Sequence, residues 1–262
     1  MSAPPKRNKA GYYTLPDGQK CLSVTNVIKF GVPKDLTEWA AWEVANAAVE
    51  AVPKLSRMRG SSARWEMIRY LQETPNRKRD AAGDFGTAIH DIAEAYVLGK
   101  PMGNPEPDQT PFVQAFENFL EDHQPVYHAA ELVVAHPEHG WAGRCDAWCE
   151  LPRLPGFDGV ISVIDYKTGK NAYPDACLQL SCYQRATRCW LDDGTEGSSP
   201  AAVNAFVLHI RPDKYPDRGY ALIPCDTSDE VYGYFRAAQQ VAEWNMSRSK
   251  SALGDAVELE AV

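Results

Sequence analysis

The apolar positions of this chain change period near residue 126. Before it they recur every three or four residues, as on amphipathic helices; after it most fall in short β-branched or alternating runs, as in strands. A hairpin is expected first, from 12–15 and 20–24 around Pro16-Asp17-Gly18, because Pro-Asp-Gly between apolar segments is turn chemistry. Ser23 or Thr25 can cap a short helix from about Asn26 to Phe30, broken at Gly31-Val32-Pro33. The alanine-rich stretch 37–52 reads as a helix that stops at Pro53, and 63–71 as another, followed by a Thr74-Pro75-Asn76 turn. Residues 80–98 form a clear helical pattern closed by Gly99, and 112–123 carry the stripe Phe112, Ala115, Phe116, Phe119, Leu120. The second half reads as an antiparallel pair, 127–135 and 141–150, about the turn 136–140, then a third strand at 160–166. A helix at 178–191, a polar loop at 192–200, strands at 202–210 and 219–223 and a closing helix at 228–247 complete it.

This order predicts an α/β protein: a central mixed β-sheet flanked by helices, with an N-terminal helical layer. Residues 1–11 are expected to be disordered, 12–247 to form one domain (12–125 mainly helical, 126–247 the sheet core) and 248–262 to be a loose acidic tail.

Composition narrows the class. The 262 residues are 44% hydrophobic and 24% charged, which fits a globular protein with a sizeable core. No apolar run approaches the roughly 20 residues of a membrane span, and the polar start carries no secretory h-region, so a cytoplasmic protein is expected. Seven cysteines, at 21, 145, 149, 177, 182, 189 and 225, include no Cys-x-x-Cys pair, which argues for reduced thiols rather than a disulfide framework or zinc ribbon. A net charge of −8 predicts no general affinity for nucleic acid. Residues 53–80 depart from it: Lys54, Arg57, Arg59, Arg64, Arg69, Arg77, Lys78 and Arg79 stand against Glu66, Glu73 and Asp80, eight cations to three acids, a local +5. Such a run is a solvated helix face or a surface for a polyanion.

Four fragments carry candidate chemistry. In the run 160–169, Asp165 and Lys167 end an apolar strand; at about 3.3 Å per residue they project from one face roughly 6 to 7 Å apart, room for a metal and a water. The same residues also fit a strand running into a Thr168-Gly169 turn. Asp146 interrupts the strand Gly143-Arg144-Cys145-Asp146-Ala147-Trp148; it either lies on a solvated face or joins Asp165 in an oxygen site of the kind Mg²⁺ prefers. His90 and Glu94 share a helix face at i and i+4, and an imidazole beside carboxylates would suit Mn²⁺ as well as Mg²⁺; a structural histidine is the alternative. Gln179 and Tyr183 lie one helical turn apart, as site support or as ordinary helix surface.

In their order, Gly86-Thr-x-x-His90, Gly143-x-x-Asp146, Asp165-x-Lys167-Thr-Gly and Gln179-x-x-x-Tyr183 resemble the RecB-type branch of the PD-(D/E)XK nucleases, which includes CRISPR-associated exonucleases and stand-alone bacteriophage exonucleases. Ser23-Val-Thr-Asn26 before a tryptophan-bearing helix is similar to the start of phage members. The resemblance spans roughly residues 20 to 240 and implies a restriction-endonuclease-like core. It implies His90, Asp146, Asp165 and the backbone carbonyl of Tyr166 as ligands of one or two Mg²⁺ or Mn²⁺ ions, with Glu94 as a further candidate. Lys167 would orient the attacking water, and Gln179 and Tyr183 would support the site; with Asp146 and Asp165 these form the implied catalytic set. DNA would be the partner, held by the basic segment 53–80, in a metal-dependent exonuclease of recombination or repair. A single-strand annealing protein is a further expected partner, and the host cytoplasm the expected compartment if a phage encodes the chain. A structure-specific endonuclease and a non-catalytic DNA-binding protein that keeps the fold are the alternatives. Some relatives hold an iron–sulfur cluster on one upstream cysteine and three near the carboxyl end; here only Cys225 lies beyond residue 189, so no cluster is expected. No Walker-type loop is present in the sequence.

Overall fold

The computed structural model describes residues 3–32, 34–55, 57, 60–100, 103–191 and 193–256. Their Cα positions fall into two compact units, one of residues 34–89 and one of the described residues within 1–33 and 90–262.

The larger unit is built on a nine-stranded mixed sheet. The hairpin β1 (Tyr12–Thr14) and β2 (Lys20–Ser23) pairs as expected, Tyr12 opposite Leu22. Ser23 then caps α1 (Val24–Gly31), its hydroxyl accepting the Asn26 N–H at 3.2 Å. Of the segment before the hairpin, residues 1 and 2 lie outside the described residues, and residues 3–11 make local bonds. Arg7 bridges Tyr13, and Asn8 takes the Tyr12 N–H on its side chain, so short local bonds hold this stretch without a core of its own.

After α5 (Thr110–His123) come β3 (Val126–His136), β4 (Trp141–Glu150) and β5 (Ile161–Lys167), antiparallel neighbours in that order. β4 is the organising strand. One edge pairs with β3 along its length; the other pairs in parallel with β2 at Trp141 and Ala142 and with β5 from Ala147 to Glu150. Residues 143–146 lie between those two ladders. β5 is buried on both faces, from Ser162 to Tyr166, because it pairs on its far side with β8 (Asn204–Ile210) and is covered by α6 (Asp175–Tyr183). That is why it reads as a largely apolar run, interrupted by Ser162, Asp165 and Lys167.

The expected helix 178–191 is shorter. α6 ends at Tyr183, and 188–190 form β6 (Arg188–Trp190), an added strand beside β3. Arg188 ties it down, reaching Glu196 on β7 (Glu196–Gly197) at 2.6 Å and Asp17 at 2.6 Å. The polar loop 192–200 thus contains a two-residue strand. β9 (Tyr220–Pro224) closes the far edge beside β8, and α7 (Asp229–Met246) packs its buried Phe235, Ala238 and Ala242 into the core with Trp141, Tyr183 and Val163. After α7, Arg248–Ser251 forms a 3₁₀ turn, and residues 257–262 of the acidic tail lie outside the described residues.

The unit 34–89 holds α2 (Thr37–Leu55), α3 (Ser61–Gln72) and the first part of α4 (Thr74–Val97). Two helix boundaries differ from expectation, both through proline. Pro53 sits in the last turn of α2, which continues past it to Leu55 although the proline forgoes its N–H bond to the Val49 carbonyl. Thr74-Pro75 opens α4 rather than forming a turn, since proline suits the first helical turn, whose N–H groups have no partner within the helix. Among the described residues, no helix is long and apolar enough to cross a membrane. All seven cysteines are free thiols.

Candidate functional site

Three acids line up across three adjacent strands. The pairs Ala130 with Ala147 and Leu132 with Cys145 put Glu131 of β3 across from Asp146 of β4. On the other edge the ladder ends at Ala147 opposite Ile164, so Asp165 of β5 comes next to Asp146. There the side chain takes over from the ladder. Asp146 Oδ2 accepts the Tyr166 N–H at 2.7 Å, a charge-assisted bond in the interior.

α4 brings in the imidazole. His90 Nε2 is 2.9 Å from the Tyr166 carbonyl oxygen and Nδ1 is 3.6 Å from Asp146 Oδ2. Its ring meets the Tyr166 ring edge-on at 5.8 Å, and Tyr166 is held in turn by Phe116 of α5 and by the Tyr127 hydroxyl. One ligand atom from each of His90, Glu131 and Asp146 lies within 4.8 Å of the others. An octahedral ion with bonds of about 2.1 Å sets opposite ligands about 4.2 Å apart, so closing this group on a cation takes only a small shift.

Asp165 is almost fully buried, at 1% exposure. Its Oδ1 accepts from Gln179 Nε2 at 3.0 Å. Oδ2 lies 2.5 Å from Lys167 Nζ as a charge contact but takes no well-directed hydrogen bond, which leaves a buried carboxylate oxygen with acceptor capacity. Lys167 and Asp165 project from one face as expected, but they meet directly, with no gap between them. Gln179 Nε2 also reaches the Tyr183 hydroxyl at 3.1 Å, so the α6 pair forms one wall of the site. Gly143 explains its place in the sequence: a Cβ there would come within 2.7 Å of the Tyr183 ring, so only glycine lets that ring come this close to β4.

Burial pushes the Glu131 carboxyl up to about 8, with Asp146 adding to the rise and Arg144 opposing it. Burial likewise pushes Asp165 up to about 6, Lys167 pulling it down and Asp146 raising it. For Lys167 burial acts downward, but the carboxylates of Asp165 and Asp146 outweigh it and hold the ammonium above its ordinary range. An imidazole, carboxylates, a backbone carbonyl and carboxyls raised by burial are a donor set that fits Mg²⁺ or Mn²⁺.

The structure therefore brings together His90, Asp146, Asp165, the Tyr166 carbonyl, Lys167, Gln179 and Tyr183. Asp165 and Glu94 are both outside the group of three: Asp165 contacts Gln179 and Lys167, and the Glu94 carboxylate faces Arg144 at 3.6 Å and Lys100 at 3.8 Å. Glu131, which the sequence reading did not single out, is the carboxylate that lies with His90 and Asp146 in that group. Its signal was an acid alone in the apolar run Ala129-Ala130-Glu131-Leu132-Val133, and its backbone is left-handed at φ +52°.

Of the basic segment, Arg57, Arg64, Arg69, Arg77, Lys78 and Arg79 are exposed, and Arg59 lies outside the described residues. Part of it is engaged locally: Lys78 pairs with Glu43 at 2.5 Å, Arg79 with Asp80 at 3.2 Å, and Arg77 stacks on Tyr70 at 4.1 Å. No protein-family model and no curated protein sequence matches the chain.

Proposed function

We propose that this protein is a divalent-metal-dependent deoxyribonuclease of the PD-(D/E)XK type, acting as an exonuclease in DNA recombination or repair. The observation that carries the reading is the row Glu131, Asp146, Asp165 across β3, β4 and β5, with Lys167 in contact with Asp165 and His90 beside Asp146. The order of motifs that resembles the RecB-type branch supports it, including the phage-type start at Ser23. DNA is the proposed partner and the exposed arginines of 57–79 the proposed backbone contacts.

His90, Asp146, Asp165, Glu131 and the Tyr166 carbonyl would hold Mg²⁺ or Mn²⁺, which supplies polarisation of the scissile phosphate and acidification of a bound water. The chain's own groups do the rest. Lys167, kept charged by its carboxylate neighbours, orients the attacking water and offsets charge on the phosphate; its raised pKa argues against a free-base role. Asp146 fixes the Tyr166 peptide through its N–H, which aims the adjoining carbonyl. Gln179 restrains Asp165, and Tyr183 restrains Gln179.

The test is digestion of end-labelled linear DNA, beside a covalently closed circle, with Mg²⁺ or Mn²⁺ and with chelator. The expected result is metal-dependent release of nucleotides from the linear form, abolished in Asp146→Ala and Lys167→Ala variants that keep the wild-type circular dichroism. Unchanged activity in both variants would overturn the reading, and cleavage of the circle would convert it to an endonuclease.

A further inference from the structure

Beside the site, a cavity of about 370 Å³ has Lys6, Arg7, Tyr13, Glu131, Val133 and Arg144 in its lining, with two prolines. It lies wholly within the larger unit, and it shares Glu131 with the candidate metal group. Its charged lining is three cations against one acid, in a chain whose overall charge is −8. The two arginines are placed rather than loose, and Lys6 is exposed. Arg7 is fixed by the Arg7 to Tyr13 bridge and by Nη1 donating to Thr25 Oγ1 at 2.8 Å. Arg144 is held by Nε on Glu131, with Oε2 at 2.7 Å and the backbone oxygen at 3.1 Å, and by Nη2 facing Glu94. Its Nη1 makes no hydrogen bond among the described residues, and its side chain is 48% exposed. The Tyr13 phenol, raised by burial, is drawn down by Arg7 and Arg144 and pushed up by Glu131, so these charges converge on one hydroxyl.

We propose that this cavity is a phosphate subsite, in which Lys6, Arg7 and Arg144 hold a phosphate of the nucleic-acid strand whose neighbouring phosphodiester lies at the Glu131, Asp146 and Asp165 row. A planar guanidinium presents paired donors to phosphate oxygens, and a lysine adds a point charge. Glu131, once it has lost its proton, would repel that anion. A cation held by Glu131 and Asp146 neutralises it and weakens its hold on Arg144, so occupation of the metal group and of the cavity favour each other. The amino-terminal segment thereby becomes part of substrate recognition. The inference rests on the nuclease reading for its choice of strand, but its chemistry, a phosphate on a basic cavity, is tested by binding alone.

The experiment is binding of a fluorescent single-stranded oligonucleotide to the full chain by anisotropy over a series of salt concentrations, with chelator and then with Ca²⁺. Wild type is compared with Lys6→Gln and Arg144→Gln, and each with oligonucleotides carrying or lacking a terminal phosphate; inorganic phosphate serves as competitor. The expected result is a log–log salt slope lower by about 0.7 for each cation removed, a larger loss in Ca²⁺ than in chelator for Arg144→Gln, and weaker competition by inorganic phosphate in both variants. If wild type prefers the terminally phosphorylated strand and the variants do not, the subsite takes an end; equal loss on both strands assigns it to an internal phosphodiester. Salt slopes and phosphate competition equal to wild type in both variants, or no phosphate competition in wild type, would overturn the proposal. Binding with these signatures in a protein that cleaves no DNA would leave the subsite standing and remove the nuclease reading.

Discussion

Asp146 Oδ2 accepts the Tyr166 N–H at 2.7 Å, so one carboxylate serves both the sheet and the site. The two duties separate by substitution. Asp146→Asn keeps an acceptor oxygen and is expected to retain most of the stability while losing Mn²⁺ affinity. Asp146→Ala strands a buried N–H and is expected to cost a further 1 to 3 kcal/mol or so. Urea unfolding and titration calorimetry with Mn²⁺ on both variants check this.

Gly143→Ala drives a methyl against the Tyr183 ring at 2.7 Å, with the ring's neighbours on α6 packed behind it. The expected cost is about 1 to 3 kcal/mol. Activity should also fall, since Tyr183 holds Gln179 and Gln179 holds Asp165. Pairing the substitution with Tyr183→Ala, which removes the obstructing ring, should cost less than the sum of the two single changes, a non-additivity that thermal unfolding of the four proteins measures.

Glu131 gives the metal-free protein a pH dependence of definite sign. Its folded pKa of about 8 exceeds the ordinary value of 4.5, so between those values the folded state holds a proton that the unfolded state has released. Stability from this group is full below about pH 4.5 and falls as pH rises through 8. In chelator, the wild type should therefore lose more stability than Glu131→Gln between pH 5 and 8. Mn²⁺ should raise the melting temperature more at pH 8 than at pH 5.5, because the ligands must give up their protons to bind it.

Lys167→Met removes the only cation touching Asp165 among the described residues. The Asp165 carboxyl should titrate above its present value of about 6, and metal-dependent hydrolysis should fall by about 10² to 10³ if the ammonium stabilises charge in the transition state. Carboxyl NMR of the metal-free protein and single-turnover kinetics read the two effects separately.

The positions that sequence alone revealed are those where a polar residue breaks an apolar run. Asp165 and Lys167 end β5, Asp146 interrupts β4, and each stood out because a strand buried on both faces has little reason to carry a charge. Glu131 broke the β3 run in the same way and escaped notice because its importance lies in what it faces across the ladder, a pairing that no local pattern reports. The split of 178–191 into α6 and β6 was equally hidden. Arg188-Cys189-Trp190 fits either period, and the choice is made by the free edge of β3 and by Arg188 reaching back to Asp17, 171 residues earlier. The contacts of Arg7 and Asn8 were hidden for a related reason: they run to Tyr12, Tyr13 and Thr25, and the composition around them is polar.

The alignment of acids also sets a standard for folding. Glu131, Asp146 and Asp165 belong to three different strands, and β4 alone touches the other two. A slip of β4 by one residue would present Cys145 or Ala147 in place of Asp146, a thiol or a methyl where the proposed hard cation would need oxygen. Under the proposed function only the correctly registered sheet would take up that ion, whose binding energy would then select that sheet from its misaligned competitors.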